Sequence, residues 1–376
     1  MQGAPVRVMI VLGWILFAFG LARLVVSFVN WAGKPYLPRS RTECAAPPEV
    51  SVLIPARNEE RRIGRLLEDL AAERTGIREI IVYDDRSTDA TAAVVRRCAR
   101  VDRRVRLIAG GELPAGWQGK NHACYRLAQQ AAGRCLLFLD ADVRIRGQAV
   151  VRALRYVGLT GVDLLSLFPR QRMSAPGTRL TVPLMNWILL SLLPLAAVRR
   201  SPQEALCAAN GQFLFFDAAV YRTLQPHRTL RRSAVEDMAV ARYYKRCGRH
   251  VAVLLGDDDV ACTMYEGLRD SVGGLSRSVF SFFGGSETVC YLFLAATTAA
   301  PFVVFAGLGV FAGLLYLLTI ILIRVFVSSA SRQSVASNLM LMIPQQFFLG
   351  WIVLTASDRK RRRRQLWKGR NIYRVG

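Results

Sequence analysis

Two carboxylates one residue apart follow an apolar segment in the middle of the chain. The segment 135–139, C-L-L-F-L, is typical of a buried strand, and it leads directly into Asp140 and Asp142. A second acidic pair, Asp84 and Asp85, ends another predicted strand. Open α/β sheets bind ligands at the carboxyl ends of their strands, so we expect both pairs to face one crevice. Their carboxylate oxygens are suitable ligands for Mg²⁺ or Mn²⁺ ions that bind substrate phosphates. The alternative for a short D-x-D motif is a solvated turn after a strand.

The elements that must position these residues alternate along the chain. Strand-like segments, each followed by a predicted helix or loop, lie at 50–54, 79–83, 105–108 and 135–139. This alternation predicts an α/β fold with a mostly parallel sheet and right-handed crossovers. Asn58 is predicted to cap the first helix. Further along, a Glu-Asp pair at 236–237 begins a predicted helix, after a strand-like segment at 210–217.

The sequence lacks the motifs of several common sites. It contains no G-x-x-x-x-G-K-[ST] and no G-x-G-x-x-G between a strand and a helix, which removes the main support for P-loop and Rossmann dinucleotide sites. The eight cysteines show no C-x-x-C pair and are interpreted as free thiols, with no zinc site. The remaining carboxylates suit a nucleotide-diphosphate site in which Mg²⁺ or Mn²⁺ neutralises the phosphates.

Charge and hydropathy place the chain at a membrane. The formal net charge is +24, which fits either a nucleic acid or an anionic lipid leaflet. Hydrophobic residues make up 52% of the chain and are concentrated at its two ends. The run of basic residues at 359–364 adjoins an apolar segment and has no interleaved aromatic residues, which favours the leaflet over nucleic acid.

The terminal apolar segments predict membrane spans. Residues 8–29 are long enough to cross a bilayer. Arg23 is the one charged residue in this segment, and its side chain could extend toward the head groups. The alternative is a cleaved signal peptide. Basic residues after this segment place its downstream side in the cytoplasm. Segment 181–198 fits an interfacial helix better than a span. At the C-terminus, segments 289–323 and 335–356 leave the number of crossings open, and a cytoplasmic tail requires an even number.

Four motifs in order resemble the inverting glycosyltransferases of family 2. They are S-V-L-I-P-A-R-N-E, I-V-Y-D-D-R-S-T-D-A-T, F-L-D-A-D and A-V-E-D-M-A. The resemblance covers about residues 50–285 and implies a GT-A fold. The segments L-P-A-G-W-Q-G-K-N-H-A and W-K-G-R are similar to a narrower subgroup of membrane-bound bacterial enzymes linked to carotenoid and hopanoid glycosylation.

The resemblance assigns a role to each matching residue. Asp237, with Glu236 beside it, would be the catalytic base, and Asp142 would bind the metal together with Asp140. The nucleotide-sugar would be bound by residues from several motifs, namely Pro55, Arg57, Glu59, Asp85, Lys120 and Asp140. Within this set, Asp85 would contact the uracil or ribose of the donor. Lys120 would contact the diphosphate, and Asp140 would contact the sugar or ribose.

One departure and two alternatives qualify these roles. Many relatives carry Q-x-x-R-W after the base, and this chain has G-L-S-R-S-V-F instead, which argues against synthesis of a polymer. Arg277 is the candidate substitute as a diphosphate contact. Lys120 has the alternative of a solvated residue at a helix start. Glu236 has the alternative of a carboxylate that favours the positive end of the helix dipole.

We therefore expect a membrane-anchored, metal-dependent inverting glycosyltransferase with a cytoplasmic catalytic domain in a multi-pass chain. Its partners would be a nucleotide-sugar donor, with a UDP-sugar favoured, a lipid acceptor such as a carotenoid, hopanoid or glycerolipid, and anionic lipids of the bilayer, with no nucleic acid. The alternatives are a polyprenyl-phosphate sugar transferase and a non-enzymatic membrane assembly module. The expected organisation is an N-terminal anchor and Pro-rich linker at 1–47, a catalytic domain at 48–285, a membrane region at 286–357 and a basic tail at 358–376.

Overall fold

Apolar and β-branched segments form the strands of the protein, for which a computed structural model describes residues 3–39, 49–362, 366–367 and 370–371. The strands are β1 (Val50–Ala56), β2 (Ile77–Asp84), β3 (Val105–Ala109), β4 (Cys135–Leu139), β5 (Val143–Ile145), β6 (Leu164–Phe168), β7 (Arg170–Gln171), β8 (Phe213–Asp217), β9 (Val251–Leu255), β10 (Val260–Cys262), β11 (Leu366–Trp367) and β12 (Arg370–Asn371). Parts of the predicted linker and basic tail, including Arg41, Pro47, Pro48, Arg363, Arg364, Lys368 and Gly369, lie outside the described residues.

Helices occupy the segments between the strands and most of both ends. They are α1 (Gly3–Ala32), α2 (Ile63–Ala72), α3 (Thr91–Val101), α4 (Gly119–Gln130), α5 (Ala149–Thr160), α6 (Pro183–Leu192), α7 (Leu195–Arg200), α8 (Ala218–Leu224), α9 (Pro226–Thr229), α10 (Glu236–Arg246), α11 (Leu268–Ser278), α12 (Glu287–Ala330), α13 (Val335–Met340) and α14 (Met342–Arg361). Two short 3-10 helices lie at Pro176–Leu180 and Val279–Phe283.

The central sheet has the strand order β3-β2-β1-β4-β8-β6-β9. All pairs are parallel except those that β8 makes with β4 and β6. The predicted α/β class with a mostly parallel sheet is therefore confirmed. Because β8 runs against β4, Phe213 at the start of β8 pairs with Leu139 at the end of β4. The loop that enters β8 thus lies at the carboxyl edge of the parallel strands.

The sheet and its helices enclose an apolar core that fixes this edge. Strands β1 and β4 contribute side chains that are almost completely buried, and α2 buries Ile63, Leu66, Leu67 and Leu70 on one face. Burial of apolar surface on both faces of a sheet is what makes the strand register specific. The core therefore holds the strand ends that carry the acidic residues in fixed positions.

One local prediction is wrong. Helix α2 begins at Ile63, and Asn58 does not cap it. Asn58 instead adopts a left-handed conformation with φ 54°, and its side-chain oxygen accepts a hydrogen bond from the backbone nitrogen of Thr88 at 2.8 Å. The loop after β1 is thereby fastened to the loop after β2, which is a contact between segments 30 residues apart that a local capping pattern does not reveal.

The chain divides into two compact units. One comprises Pro35–Arg172, Ala196–Met264 and Arg362–Gly376 and contains the central sheet; the other comprises Met1–Lys34, Met173–Leu195 and Tyr265–Arg361 and is helical. We call them the catalytic unit and the helical unit. Segment 183–192, within the predicted interfacial helix, belongs to the helical unit as α6, and most of its side chains are buried there.

The helical unit contains two helices that are long and apolar enough to cross a membrane, residues Val6–Ala32 of α1 and Glu287–Ala330. The second is not straight, because Gly309 has φ 86° and ψ 176°, a conformation almost restricted to glycine. Residues on either side of this kink, such as Ala300 and Tyr316, join one apolar cluster with Leu16. The two halves of α12 therefore form a helical hairpin packed on α1.

Candidate active site

The acidic segment after β4 meets the loop that enters β8. The backbone nitrogen of Asp140 donates to the carbonyl oxygen of Gln212 at 3.2 Å. This contact follows from the antiparallel pairing of β4 and β8, which brings the N-G-Q turn against the D-A-D segment. Side chains from α4 and α10 complete the site around this junction.

Lys120 joins two of these carboxylates. Its Nζ lies 2.8 Å from Asp140 Oδ1 and 2.9 Å from Glu236 Oε1. Burial alone lowers the pKa of Lys120, but the charges of Asp140 and Glu236 outweigh it and raise the pKa well above its usual value. Burial likewise acts to raise the pKa of Glu236, and the charge of Lys120 reverses this and lowers it. Lys120 is therefore a paired cation in the site and not a solvated residue at a helix start.

Asp237 is held by the backbone at the start of α10. Its Oδ2 accepts a hydrogen bond from the nitrogen of Gly211 at 2.9 Å, and its Oδ1 accepts one from the nitrogen of Met238 at 2.7 Å. Burial and the neighbouring charge of Glu236 raise the pKa of Asp237 to about 6. A fixed carboxylate whose pKa lies just below neutral pH is suited to accept a proton.

Gly211 leaves little space for a side chain where the β8 loop approaches this cluster. A Cβ at this position would lie 2.9 Å from Lys120 Nζ and 3.2 Å from Glu236 Oε1. Any larger residue would displace the lysine from its two carboxylates or move the loop that donates to Asp237. The absence of a side chain at Gly211 is thus part of the site.

Asp142 lies in a buried polar cluster beneath the same edge. Gln212 Nε2 is 3.5 Å from Asp142 Oδ2 and 2.7 Å from Cys262 Sγ. The other oxygen, Oδ1, is buried and has no hydrogen-bond partner among the described residues. Burial, together with the charges of Asp140 and Glu59, raises the pKa of Asp142 to about 7. A buried carboxylate with an unsatisfied oxygen beside another carboxylate is a favourable environment for a cation.

These residues fit a divalent metal that takes part of its coordination from substrate. Within the described ranges, no three His, Cys, Asp or Glu residues are grouped so that they could hold a metal by themselves. Mg²⁺ and similar ions commonly bind through one or two carboxylates plus substrate phosphates and water. Asp142 and Asp140 are the two carboxylates that would take part in such binding.

A second group of predicted site residues lies at the ends of β1 and β2. Arg57 Nη1 donates to the carbonyl oxygen of Asp85 at 2.6 Å, and the Asp85 nitrogen donates to the carbonyl oxygen of Ala56 at 2.8 Å. Asp85 is buried, with 5% of its surface exposed. An open pocket of about 480 Å³ is lined by Arg57, Arg86, Ser87 and Thr88. This volume is within the usual range for small-ligand sites.

The predicted residues are thus distributed over the catalytic unit, with one exception. Pro55 lies within β1, opposite Tyr83 of β2. Glu59 follows β1 and lies near enough to Asp142 to influence its pKa. Arg277 lies on α11 in the helical unit, and its role as a diphosphate contact stays a prediction.

The sequence patterns did not identify Gln212, Gly211 or Cys262 as part of the site. Gln212 and Gly211 belong to the N-G-Q turn before β8, and Cys262 ends β10, which pairs with β5 just after Asp142. The turn itself was a visible signal, since a glycine before a buried strand often marks a close approach of the backbone. The position of Cys262 depends on strand pairing over more than 100 residues, and no local pattern indicates it.

Comparisons with known proteins agree with this architecture. Residues 51–220 match the model of the family "Glycosyl transferase family 2". The 4,4'-diaponeurosporenoate glycosyltransferase of Staphylococcus aureus (strain MRSA252) is 30% identical over 243 residues, 63% of this chain and 62% of the relative. The Staphylococcus haemolyticus (strain JCSC1435) enzyme of the same name is 28% identical over 231 residues, 61% of this chain and 60% of the relative. The chain thus spans less than two thirds of the length of these curated relatives.

A solved structure shares the fold over nearly the whole chain. The mannosyltransferase PcManGT from Pyrobaculum calidifontis, solved in complex with GDP-Man and Mn²⁺, matches with a TM-score of 0.53 and 17% sequence identity. The match covers 93% of this chain and 98% of the other. The predicted GT-A fold, with added helices at both ends, is confirmed.

Proposed function

We propose that this chain, in which residues 51–220 are a glycosyltransferase family 2 domain, transfers a sugar from a nucleotide-sugar to a lipid acceptor at a membrane. The observation that carries the proposal is the position of Asp237. It is fixed on the Gly211 nitrogen, beside the Lys120–Asp140 pair at the carboxyl edge of the sheet. This is the edge at which α/β folds bind ligands.

Asp237 is proposed as the general base of an inverting displacement. The carboxylate takes the proton of an acceptor hydroxyl while the acceptor oxygen forms a bond to the anomeric carbon. The bond from that carbon to the phosphate oxygen breaks on the opposite face, and its electron pair leaves with the nucleoside diphosphate. The two backbone hydrogen bonds to Asp237 hold the carboxylate in the orientation that this proton transfer requires.

Lys120 and the acidic residues are proposed to arrange the donor. Asp140 and Asp142 would hold Mg²⁺ or Mn²⁺, which when bound neutralises charge on the diphosphate leaving group. Lys120 is available to exchange one of its carboxylate partners for a phosphate oxygen. Arg57 lines the pocket at the ends of β1 and β2 and donates to the backbone oxygen of Asp85, which supports the assignment of both residues to the nucleotide. Pro55 and Glu59 are proposed to bind the nucleotide with them.

The acceptor is proposed to be a lipid because the helical unit offers an apolar surface suited to a bilayer. Residues Val6–Ala32 and α12 are suited to cross a bilayer, and many of their large apolar side chains are exposed, including Trp14, Phe302 and Phe311. The relatives are named for 4,4'-diaponeurosporenoate, which supports a carotenoid-like lipid as the acceptor class, with hopanoids and glycerolipids as other members. The proposed base requires an acceptor of this class that carries a hydroxyl.

We further propose that the chain crosses the membrane three times. Helix α1 would enter the cytoplasm, and the two halves of α12 would leave and return, since the kink at Gly309 turns the chain back on itself. The catalytic unit and the basic tail would then both be cytoplasmic. The anchor and linker at 1–47, catalytic domain at 48–285, membrane region at 286–357 and tail at 358–376 remain the proposed functional division.

The direct test is transfer by the purified full chain in phosphatidylcholine nanodiscs supplied with Mn²⁺, a panel of UDP- and GDP-sugars, and an apolar bacterial lipid extract. We expect nucleoside diphosphate release with one donor class only when the extract is present, and a lipid product heavier by one sugar. Release that needs no lipid would mean that water or a soluble molecule is the acceptor. No release with any donor would contradict the proposed activity.

A further inference from the structure

Two arginines are buried in the helical unit around one tryptophan. The guanidinium carbon of Arg23 lies 4.5 Å from the centre of the Trp187 ring, and that of Arg324 lies 4.4 Å from it. Arg23 is 5% exposed and Arg324 is 4% exposed. Arginine stays protonated in proteins, so two positive charges share this buried site.

The neighbours of both guanidinium groups are neutral. Arg23 donates to Ser191 Oγ at 3.0 Å and also faces the rings of Phe19 and Phe293. Arg324 donates to Gln345 Oε1 at 2.7 Å. In the part of the chain that the structure describes, neither arginine makes an ion pair. Cation–π contacts compensate for part of the lost hydration of a guanidinium, but they do not neutralise its charge.

The helical unit has few carboxylates that could neutralise these charges. Its described residues include four, Glu266, Asp270, Glu287 and Asp358. None of them lies in α1, in α6 or in the part of α12 beyond its first residue. Glu287 is already paired with Lys360 at 2.7 Å. The charge of the arginine pair is therefore left for a ligand to balance.

Unused hydrogen-bond donors accompany this excess charge. The Nε of Arg324 is buried and finds no hydrogen-bond partner in the described part of the chain, and the same is true of Gln333 Nε2. Gln345 and Asn338 extend a buried polar network away from Arg324. Gln345 Nε2 donates to Asn338 Oδ1 at 3.1 Å, and Asn338 Nδ2 donates to Gln333 Oε1 at 3.1 Å. Buried donors without acceptors are rare and indicate a missing acceptor.

The position of the pair along its helices indicates where that acceptor comes from. Arg23 is nine residues from the end of α1 and Arg324 is six residues from the end of α12, which corresponds to roughly 9 to 14 Å along a helix. These two ends lie together, since Phe28 and Trp31 contact Phe326. In a membrane with head-group layers of about 5–7 Å, this depth lies in the outer part of the acyl-chain region, a few ångströms from the head groups.

We propose that Arg23 and Arg324 form a binding site for the oxyanion, carboxylate or phosphate, of a membrane lipid. The planar guanidinium groups match both oxyanions in geometry, and the aromatic rings around them suit the adjoining apolar chain. The inference concerns a site in the helical unit and does not depend on the identity of the sugar donor or on Asp237.

The test uses the full chain in neutral phosphatidylcholine nanodiscs without any sugar donor. The probe is cis-parinaric acid, a fluorescent polyene carboxylic acid, whose binding is followed by energy transfer from tryptophan at a pH where the carboxylate is ionised. Its methyl ester is the uncharged comparison. We expect the wild-type chain to bind the acid at least about tenfold more tightly than the ester, and equal affinity for the two would overturn the proposal.

Substitutions test whether the preference for the acid over the ester depends on the two arginines. Arg324→Gln and Arg23→Gln should each abolish most of the preference for the acid, whereas Arg7→Gln, which removes an exposed charge from the same helix as Arg23, should retain it. Arg324→Lys keeps a charge without the planar fork and should be intermediate. An equal loss in Arg7→Gln would show general electrostatic attraction and contradict a specific site.

A stability measurement keeps the test independent of variants that fail to fold. Phosphatidic acid should raise the Tm of the wild-type chain more than diacylglycerol does, because a ligand that binds only the folded state stabilises it. Phosphatidic acid should also displace parinaric acid from the chain, whereas inorganic phosphate at the same concentration should not. Displacement by inorganic phosphate as effective as that by phosphatidic acid would overturn a lipid source. Sugar transfer that persists when the acid preference is absent would refute this site and leave the proposed function standing.

Discussion

At the scale of single residues, Asp237 combines fixed geometry with a pKa that suits a base. Two backbone nitrogens orient its oxygens, and burial together with the charge of Glu236 raises its pKa to about 6. Lys120 forms ion pairs with both Glu236 and Asp140, which reduces the repulsion between the carboxylates of the cluster. The neighbouring residues thus determine the protonation state of Asp237 as well as its position.

The pH dependence of turnover should report this environment. A base accepts a proton only when it is ionised, so kcat should be highest above the pKa of Asp237 and fall about tenfold per pH unit below it. Glu236→Gln removes a negative neighbour and leaves Lys120 close by, so the acidic limb should move to lower pH. Steady-state kinetics from pH 5 to pH 8 on both proteins measure this. An acidic limb at the same pH in both proteins would exclude coupling between Glu236 and the base.

Asp142 should be detectable as a metal ligand without any measurement of activity. Its orphaned oxygen lies in a buried cluster beside Asp140, so Asp142→Asn should weaken Mn²⁺ binding by at least about 10–100-fold, the range already seen for residues that only support metal ligands. Calorimetric titration of the purified chain with Mn²⁺ and a nucleoside diphosphate measures this. Asp102→Asn, at a half-buried ion pair with Arg104 just before β3, is the matched control and should bind normally. Unchanged affinity in Asp142→Asn would remove the residue from the metal site.

At the scale of elements, the junction of β4, β8, α4 and α10 assembles the site. The antiparallel insertion of β8 brings the turn at Asn210–Gln212 against the residues that follow β4. Helices α4 and α10 then direct Lys120 and Glu236 toward the same point. The close approach of these elements depends on Gly211, which leaves space for the lysine.

Gly211→Ala tests this assembly. The added methyl group would contact Lys120 Nζ, so we expect kcat to fall by about 10- to 100-fold while the protein remains folded, because small displacements of reacting groups are costly. Gly158→Ala is the matched control, since a Cβ on this glycine in α5 meets no atom within 4 Å. Turnover and thermal unfolding are measured on both variants. Normal turnover in Gly211→Ala would show that the loop tolerates a side chain and that Lys120 is not held tightly.

Local patterns predicted those elements whose formation depends on local sequence. The apolar segments before Asp85 and Asp140 form β2 and β4, and Glu236 begins α10. The antiparallel direction of β8 and the contact of Gln212 with Cys262 arise from pairing between distant segments, which periodicity does not encode. Asn58 shows the same limit, since its side chain bonds to the neighbouring loop instead of capping its own helix.

At the scale of the whole molecule, the kink in α12 bears on the number of membrane crossings. The sequence leaves this number open for the apolar segment 289–323. The structure extends it to Glu287–Ala330 and folds it at Gly309, so that each half packs along α1. This fold supports the proposal that the chain crosses the membrane twice after the catalytic domain, which would place the basic tail on the cytoplasmic side.

Chemical labelling of intact cells tests the proposed topology. Val310→Cys, at an exposed position beside the kink, should react with a membrane-impermeant maleimide from outside the cell. The natural Cys247, exposed on the catalytic unit, is the internal control and should react only after the membrane is permeabilised. Labelling of Cys247 from outside would place the catalytic unit on the opposite side and contradict the proposed orientation.

The most direct test of the central claim compares Asp237→Asn with wild type in one folded preparation. Asn keeps the shape of the side chain and removes the base, so the nucleotide-sugar Kd should change little while kcat falls by about 10²–10⁴-fold, the usual contribution of general acid–base catalysis. Asp217→Asn is the matched control. Asp217 also lies at a helix start, where its side chain accepts a hydrogen bond from the Val220 nitrogen. Its backbone, however, pairs with Cys135 at the opposite edge of the sheet. It should retain near-normal kcat. A kcat near the wild-type value in Asp237→Asn would contradict the assignment of Asp237 as the base.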